Sequence, residues 1–455
     1  MRFSNTGKCV TSTGYGKNVI VENCSEDDKE SQIVEFGVLV DAHGFESSQP
    51  CFDANKSKIK KRLFPISGLL WNQRMERLRS KELNESLIAV QKVLEEIKNM
   101  NESGELSRIS GSRRAVVFYV DKTDGFLAYL NWWMYSWKLI GLNASSQAFD
   151  IILFTHPESV NKLPEECKEI SESFNPEAPG PGLCLYRKLK PLSERNFKYD
   201  NYLNSQECLS NSNTSQFLLK YRILIRADLD TFPTPRLIDY WPTDVVCNRN
   251  AMTTHHMKNI EEAIRNTSAA AGILHHHWHN TDSAWMGPSI RVIMLAKLTV
   301  QLARFTRVHM FGPGTRCRCD TCTELPCSCT WGRGIYAGTL LLYAQEIAMN
   351  LMWTQREYDA MTYAILDGSC TDVSVHICKP ALLHARHNSE LFSKFTFLRD
   401  EYKNFDMSRL DITNVRDWAT FLALSSSGQG VNGEVAWSKY LNKTGNTKLR
   451  DLCKP

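Results

Sequence analysis

The sequence lacks any long hydrophobic run. No stretch reaches the roughly 18 apolar residues that mark a membrane-spanning helix, and the longest uncharged aromatic stretch, Gly125–Trp137, is too short. The N-terminus also lacks the apolar core of a signal peptide. Net charge is small, at +4 over 455 residues, which argues against nucleic acid as a partner. What remains is the class of ordinary globular proteins, with 42% hydrophobic and 23% charged residues.

Cysteines and glycosylation acceptors are plentiful by contrast. The chain has 15 cysteines and eight Asn-x-Ser/Thr triplets, which begin at Asn23, Asn55, Asn84, Asn101, Asn143, Asn213, Asn266 and Asn442. One triplet alone is weak evidence, but eight beside many cysteines favour an oxidising secretory lumen. We therefore expect the lumen of the Golgi or endoplasmic reticulum, with any membrane anchor lying outside this sequence.

Residues 1–111 are expected to form an N-terminal leader and stem. Apolar residues recur there at steps of four and three, at Leu83, Leu87, Val90, Leu94 and Ile97. That spacing predicts one helix with an apolar seam. Because the seam covers little more than two heptads, two interpretations stay open. The helix either packs on the main domain or forms a stem through which two copies make a homodimer.

Residues 112–398 alternate between predicted strands and predicted helices. Strands are expected at Ser112–Asp121, Phe149–Phe154, Leu183–Lys188 and from Tyr221, and helices at 158–174, 289–308 and 331–350. This order predicts an α/β fold, with a Rossmann-like, mostly parallel sheet flanked by helices. Residues 399–455 are expected to be a helical and polar tail.

The stretch Tyr221–Phe232, YRILIRADLDTF, carries the most specific chemical signal. A predicted strand runs into Asp228 and Asp230, and a Pro-bracketed segment stops it. Two such carboxylates repel one another when buried together, and a divalent cation with oxygen ligands relieves that repulsion. A solvated surface turn is the alternative. Because ligands bind beyond the carboxyl ends of parallel strands, Asp121 belongs to the same candidate site unless it too is merely solvated.

Histidine and cysteine clusters follow later in the chain. The run His275–His279 is more typical of a surface loop or an aromatic acceptor wall than of a metal site. Five cysteines in Cys317–Cys329 could form disulfides or hold zinc. Because five is odd, the disulfide interpretation needs a partner elsewhere, such as Cys247. Cys370 and Cys378 could pair with each other.

The late stretch Leu382–Phe397 contains two histidines three residues apart, His384 and His387, and then Lys394 in an aromatic strand pattern. With the earlier motifs it resembles GT-A-type nucleotide-sugar glycosyltransferases, in particular a poorly characterised group of eukaryotic, often type II membrane, glycosyltransferase-like proteins. The stretches that carry the resemblance are AVVFYVD, YRILIRADLDTFPTP, NTDSAWMGPS, WGRGIYAGTLLLYAQEIAMN and LLHARHNSELFSKF. The resemblance implies a GT-A-like fold over 112–398, with a Rossmann-like nucleotide-binding half and an acceptor-binding half.

The resemblance also implies roles for particular residues. Asp228 and Asp230 would hold Mn²⁺ or Mg²⁺, and His384 or His387 would be the late metal ligand. Lys394 would contact the diphosphate of the donor. Asp228 would hold the donor's ribose or a metal-bound water, and Asp121 would contact the base or the ribose. No catalytic base or nucleophile is assigned.

The expected function is transfer of a sugar from a nucleotide diphosphate sugar to a glycan, protein or lipid acceptor. The alternative is a catalytically inactive α/β binding protein that uses its Cys/His-rich loops for zinc or partner recognition. Binding of a nucleoside diphosphate, with and without manganese, distinguishes the two.

Overall fold

The computed structural model describes these parts of the chain: 8–12, 19–23, 57–122, 124–144, 149–171, 174–177, 180–191, 203–211, 216–249, 258–279, 281–311, 318–319, 334–335, 340–352, 365–367, 374–385, 392–445 and 448–453.

The strands are β1 (Lys8–Ser12), β2 (Val19–Asn23), β3 (Arg114–Val120), β4 (Phe149–Thr155), β5 (Lys168–Glu169), β6 (Cys184–Lys188), β7 (Ile223–Ala227), β8 (Thr231–Pro233), β9 (Val246–Arg249), β10 (Thr281–Pro288), β11 (Arg318–Cys319), β12 (Gly334–Ile335), β13 (Ile365–Asp367) and β14 (Leu382–His384). The helices are α1 (Ser57–Glu102), α2 (Asp124–Leu139), α3 (Asn204–Ser210), α4 (Lys258–Ala270), α5 (Ser289–Phe311), α6 (Leu340–Met352), α7 (Lys394–Leu398), α8 (Val415–Ser427), α9 (Gly433–Lys443) and α10 (Leu449–Leu452).

A ten-stranded sheet forms the centre, in the order β5-β6-β4-β3-β7-β10-β9-β13-β14-β8. Neighbouring strands run parallel except where β10 meets β7 and β9, and where β14 meets β8. Helices flank this sheet. The expected fold class, a mixed α/β protein with a mostly parallel central sheet, is therefore confirmed. The GT-A-like assignment stays a prediction.

The middle of the sheet is made of continuous apolar strands. Every residue of β3 and β4 is buried, and β3 lies in parallel register between β4 and β7. Helix α5 is apolar on most of its surface because it contacts α1, α3 and α6 as well as the sheet. Strand β7, which leads to Asp228, thus starts within the buried centre of the sheet.

Helix α1 packs against α5. Its seam residues Val90 and Ile97 are buried, and Lys297 Nζ on α5 lies 2.5 Å from a carboxylate oxygen of Glu96. Of the two interpretations of the leucine spacing, a helix packed on the main domain is the one that the structure contains. Homodimer formation through the same helix stays a prediction.

Two predicted helices differ from the structure. The described residues of 158–174 do not form an α-helix: a 3-10 helix at Pro157–Lys162 is followed by β5, because Pro164 interrupts the helical pattern. The segment NTDSAWMG is mostly strand β10, where Gly287 lets β10 approach Val245 closely. A Cβ at Gly287 would lie 2.6 Å from Val245 Cα. The predicted helix at 289–308 is confirmed as α5. The helix predicted at 331–350 is shorter in the structure, because Gly334–Ile335 is strand β12 and α6 begins at Leu340.

Two disulfides join described cysteines, Cys167 with Cys184 and Cys378 with Cys453. The suggested pair Cys370–Cys378 is therefore wrong, since the C-terminal cysteine takes Cys378. Cys247 is a free, buried thiol and is not the missing partner of the cysteine cluster. The side chains of Cys317–Cys329 lie outside the described residues, so zinc and disulfides both stay open there. Among the described helices, none is long and apolar enough to cross a bilayer.

Candidate metal centre

The candidate site begins where β7 ends. Arg226, the fourth residue of this strand, is only 1% exposed, and its Nη2 lies 2.7 Å from Oδ1 of Asp228. The same nitrogen donates a hydrogen bond to the hydroxyl of Ser205 at 2.6 Å. The buried guanidinium therefore fixes the orientation of Asp228, whose side chain keeps 34% of its surface exposed.

The turn that carries the two aspartates is closed by Thr231. Its hydroxyl donates a hydrogen bond to the carbonyl of Asp228 at 2.7 Å and accepts one from Trp133 Nε1 at 2.9 Å. Trp133 is fully buried on α2. A sheet strand and a helix therefore both hold this turn, which limits the movement of Asp228 and Asp230.

Strand pairing brings the distant His384 to Asp230. The antiparallel pair β8–β14 places His384 opposite Thr231, and the N–H of Ala385 donates to the carbonyl of Asp230 at 2.8 Å. The imidazole Nε2 of His384 then lies 3.4 Å from Oδ1 of Asp230. Residues more than 150 positions apart thus meet through two three-residue strands.

The second oxygen of Asp230 contacts a lysine. Lys394 Nζ forms an ion pair with Oδ2 of Asp230, and the two side chains are only 13% and 10% exposed. Lys394 is the first residue of α7, so the strand pattern predicted for it is wrong. Two of the aromatic residues that suggested a strand pack instead on Trp132, whose ring centroid lies 5.5 Å from that of Phe392 and 5.0 Å from that of Phe397.

The ligand atoms of Asp228, Asp230 and His384 all lie within 4.8 Å of one another. In the part of the chain that the structure describes, this is the one group of three or more potential ligands placed so closely. Oxygen ligands lie about 2–2.5 Å from a divalent ion, so ligands on opposite sides of it are about 4–5 Å apart. The donor set fits one cation, and its imidazole favours Mn²⁺ over Mg²⁺.

The two carboxylates have opposite pKa shifts. Burial raises the pKa of Asp228, against the opposing charge of Arg226. Burial alone would also raise the pKa of Asp230, but Lys394 and His384 hold it well below its usual range. Burial raises the pKa of the nearby Tyr129 phenol to about 12, although the Lys394 charge opposes the shift. Asp230 is therefore the firmly ionised member of the pair.

One predicted site residue, Asp121, is not part of this group. Asp121 follows β3 at the same edge of the sheet, but its Oδ1 accepts the N–H of Lys122 at 2.8 Å, and its carbonyl accepts the Ser159 hydroxyl at 3.2 Å. Those contacts cap the strand end, and a role in donor binding stays a prediction. His387 lies outside the described residues.

Arg226 was not among the site residues predicted from the sequence. A usable signal was present, because side chains two residues apart on a strand point to the same face. An arginine at a strand position two residues before Asp228 is therefore a candidate partner for that carboxylate.

The histidine run is anchored to α6 and is not simply a surface loop. His275 and His279 are buried, and Oε1 of Glu346 lies 3.5 Å from Nε2 of His275 and 3.2 Å from Nδ1 of His279. Oδ1 of Asn350 accepts the backbone N–H of His276 at 2.6 Å. The surface-loop interpretation is correct only for the middle of the run, where His276 is exposed.

The family model described as a domain of unknown function, DUF7164, matches residues 108–443. The match covers most of the 455 residues and includes the central sheet from β3 onward and all the residues of the candidate centre. A search of curated proteins finds no match.

Proposed function

We infer that this chain, which belongs to the DUF7164 family, is a metal-dependent glycosyltransferase. It moves a sugar from a nucleotide diphosphate sugar to a glycan, protein or lipid acceptor. The observation that supports this proposal is the meeting of Asp228, Asp230 and His384 within 4.8 Å. The centre lies beyond the carboxyl end of β7, the region where open α/β sheets bind their ligands.

A metal centre of this kind has a defined role in sugar transfer. Breaking the bond between the anomeric carbon and the phosphate oxygen leaves negative charge on the departing diphosphate. A bound Mn²⁺ or Mg²⁺ supplies charge that stabilises this leaving group. In the same region Lys394 offers a positive charge to a phosphate oxygen.

The protein's own residues prepare the site before any ligand arrives. Arg226 orients Asp228, and Thr231 closes the turn between the strands. His384 is held against Asp230 by the β8–β14 pair. This preorganisation avoids the cost of assembling the ligands when the donor binds.

A lumenal location accompanies the proposed activity. Two disulfides join described cysteines, and four of the acceptor asparagines, Asn84, Asn101, Asn266 and Asn442, are exposed. These features are compatible with a Golgi or endoplasmic reticulum lumen. After secretion from eukaryotic cells, intact-mass analysis should find added glycan mass and oxidised cysteines. Free thiols throughout and no added mass would remove this assignment.

A donor screen tests the activity itself. UDP-sugars and GDP-sugars are offered with and without Mn²⁺, and hydrolysis, transfer and thermal shift are measured. We expect at least one donor to be turned over with Mn²⁺ only. Asp230→Asn should keep the fold and lose two to three decades in rate, since ~3–4 kcal/mol of leaving-group stabilisation is removed. The matched control is Asp239→Asn at an exposed position, which should behave as wild type.

One observation favours a second candidate function. The ammonium group of Lys394 already neutralises Asp230, as a permanent internal cation would in an inactive binding protein. Under that alternative, neither Mn²⁺ nor a nucleoside diphosphate binds, and Asp230→Asn changes stability only. Metal-dependent thermal stabilisation of the wild type by UDP or GDP would exclude it.

A further inference from the structure

Lys394 and a divalent cation compete for the same carboxylate. Oδ2 of Asp230 is paired with Lys394 Nζ, and Oδ1 of Asp230 faces His384 Nε2 at 3.4 Å. A cation bound by Asp228, Asp230 and His384 would therefore sit beside a buried ammonium group. Like charges this close and this poorly solvated repel strongly, so the metal cannot reach full affinity while Lys394 stays on Asp230.

The lysine has a natural second partner once a donor is present. A nucleoside diphosphate brings negative charge to the open positions of the metal. The four-carbon side chain of Lys394 is flexible, and its donors rotate freely. It can therefore leave Asp230 for a phosphate oxygen without leaving the site.

We propose that Lys394 is exchanged between Asp230 and the diphosphate, so that metal and diphosphate bind cooperatively. The inference rests on the proposed function and adds a binding order to it: the metal binds weakly alone and tightly together with the diphosphate. Coupling of this kind is reciprocal, so Mn²⁺ tightens the nucleotide by the same factor by which the nucleotide tightens Mn²⁺.

Calorimetric titration of Mn²⁺ tests the proposal, without nucleotide and with saturating UDP or GDP. The variants are Lys394→Met, which removes the charge and keeps an unbranched apolar side chain, and Lys394→Arg, which keeps the charge. If Lys394→Met fails to fold, as judged by circular dichroism, Lys394→Gln is used in its place. Lys403→Met, at an exposed lysine of the same C-terminal region, is the matched control.

Without nucleotide, Lys394→Met should bind Mn²⁺ about tenfold more tightly than wild type, a coupling in the usual range. The gain in Mn²⁺ affinity on adding the nucleotide should be about tenfold smaller in Lys394→Met than in wild type. Lys394→Arg and Lys403→Met should both resemble wild type.

Two results distinguish a failure of this inference from a failure of the proposed function. Equal Mn²⁺ affinity in wild type and Lys394→Met, with binding still abolished by Asp230→Asn, overturns the exchange and leaves the metal centre standing. No Mn²⁺ binding in wild type, even with UDP or GDP, overturns the proposed function as well. Should Lys394→Met alone bind Mn²⁺ under those conditions, the lysine is a permanent replacement for the metal.

Discussion

Replacing Glu346 by glutamine should remove a pH-dependent part of the stability of the fold. Glu346 is fully buried on α6, and its Oε1 accepts the backbone N–H of His279 at 2.8 Å. The same oxygen lies 3.2 Å from the ring Nδ1 of His279 and 3.5 Å from Nε2 of His275. Glutamine has nearly the same shape but no charge, so Glu346→Gln removes the ionic part of these contacts.

The magnitude follows from the pKa of this carboxyl. Burial alone would raise the pKa of Glu346, but the neighbouring imidazoles of His275 and His279 and the backbone N–H of His279 lower it from the usual 4.5 to about 2. Because the folded-state pKa lies below the unfolded one, the carboxylate stabilises the native state above pH 4.5. That contribution is lost as the pH falls from 4.5 towards 2. At about 1.4 kcal/mol per pKa unit, the contribution is about 3 kcal/mol.

Urea unfolding of the wild type and Glu346→Gln, above pH 4.5 and again near pH 2, measures this difference. The gap in unfolding free energy should be about 3 kcal/mol at the higher pH and close to zero at the lower one. Glu262→Gln, at an exposed position of α4, is the control and should show no gap at either pH. A gap that stays constant with pH would refute the assigned role of the charge.

Three further predictions concern the packing of α1, the Cys378–Cys453 disulfide and the turn that carries Asp228 and Asp230. Val93→Ala on α1 should lower the unfolding free energy by about 2 kcal/mol, because buried methyl groups are lost. Ile88→Ala, at a position that is 67% exposed, should change it little. Equal effects of the two substitutions would show that α1 is not packed as described. Loss of the Cys378–Cys453 disulfide through a double Ser variant should cost about 3–5 kcal/mol in urea unfolding, because it closes a long loop, and unchanged stability would contradict that bond. Thr231→Val should lower the melting temperature and weaken Mn²⁺ binding in calorimetry. The aspartate turn loses the hydrogen bond from the Thr231 hydroxyl, and the buried indole N–H of Trp133 loses its acceptor. A wild-type Mn²⁺ affinity in this variant would show that the turn needs no such support.

The parallel centre of the fold could be predicted because its signals are local. Strands β3, β4 and β7 contain the uninterrupted apolar runs AVVFYV, IILF and ILI, and strands of that kind are buried in parallel sheets. The Asp-x-Asp pair was recognisable for the same reason, since an apolar strand leads directly into it. The resemblance added His384 or His387 as the expected late ligand and left open which of the two it is.

What could not be predicted depends on contacts between distant segments. Strand β14 has three residues, too few for a periodic pattern, and only its pairing with β8 places His384 beside Asp230. Lys394 lies in an aromatic run that alternates like a strand, yet packing against Trp132 favours a helix there. Glu346 gave no signal that it would hold two histidines of another segment.

Asp228, Asp230 and His384 should bind one cation together. Pulsed electron paramagnetic resonance of the Mn²⁺-loaded protein, with UDP or GDP present, tests it most directly because a coordinated imidazole nitrogen couples to the manganese spin. We expect one such coupling in wild type. It should be retained in His387→Ala and lost in His384→Ala, and bound Mn²⁺ itself should be lost in Asp230→Asn. A nitrogen coupling that survives His384→Ala, or Mn²⁺ that stays bound in Asp230→Asn, would contradict it.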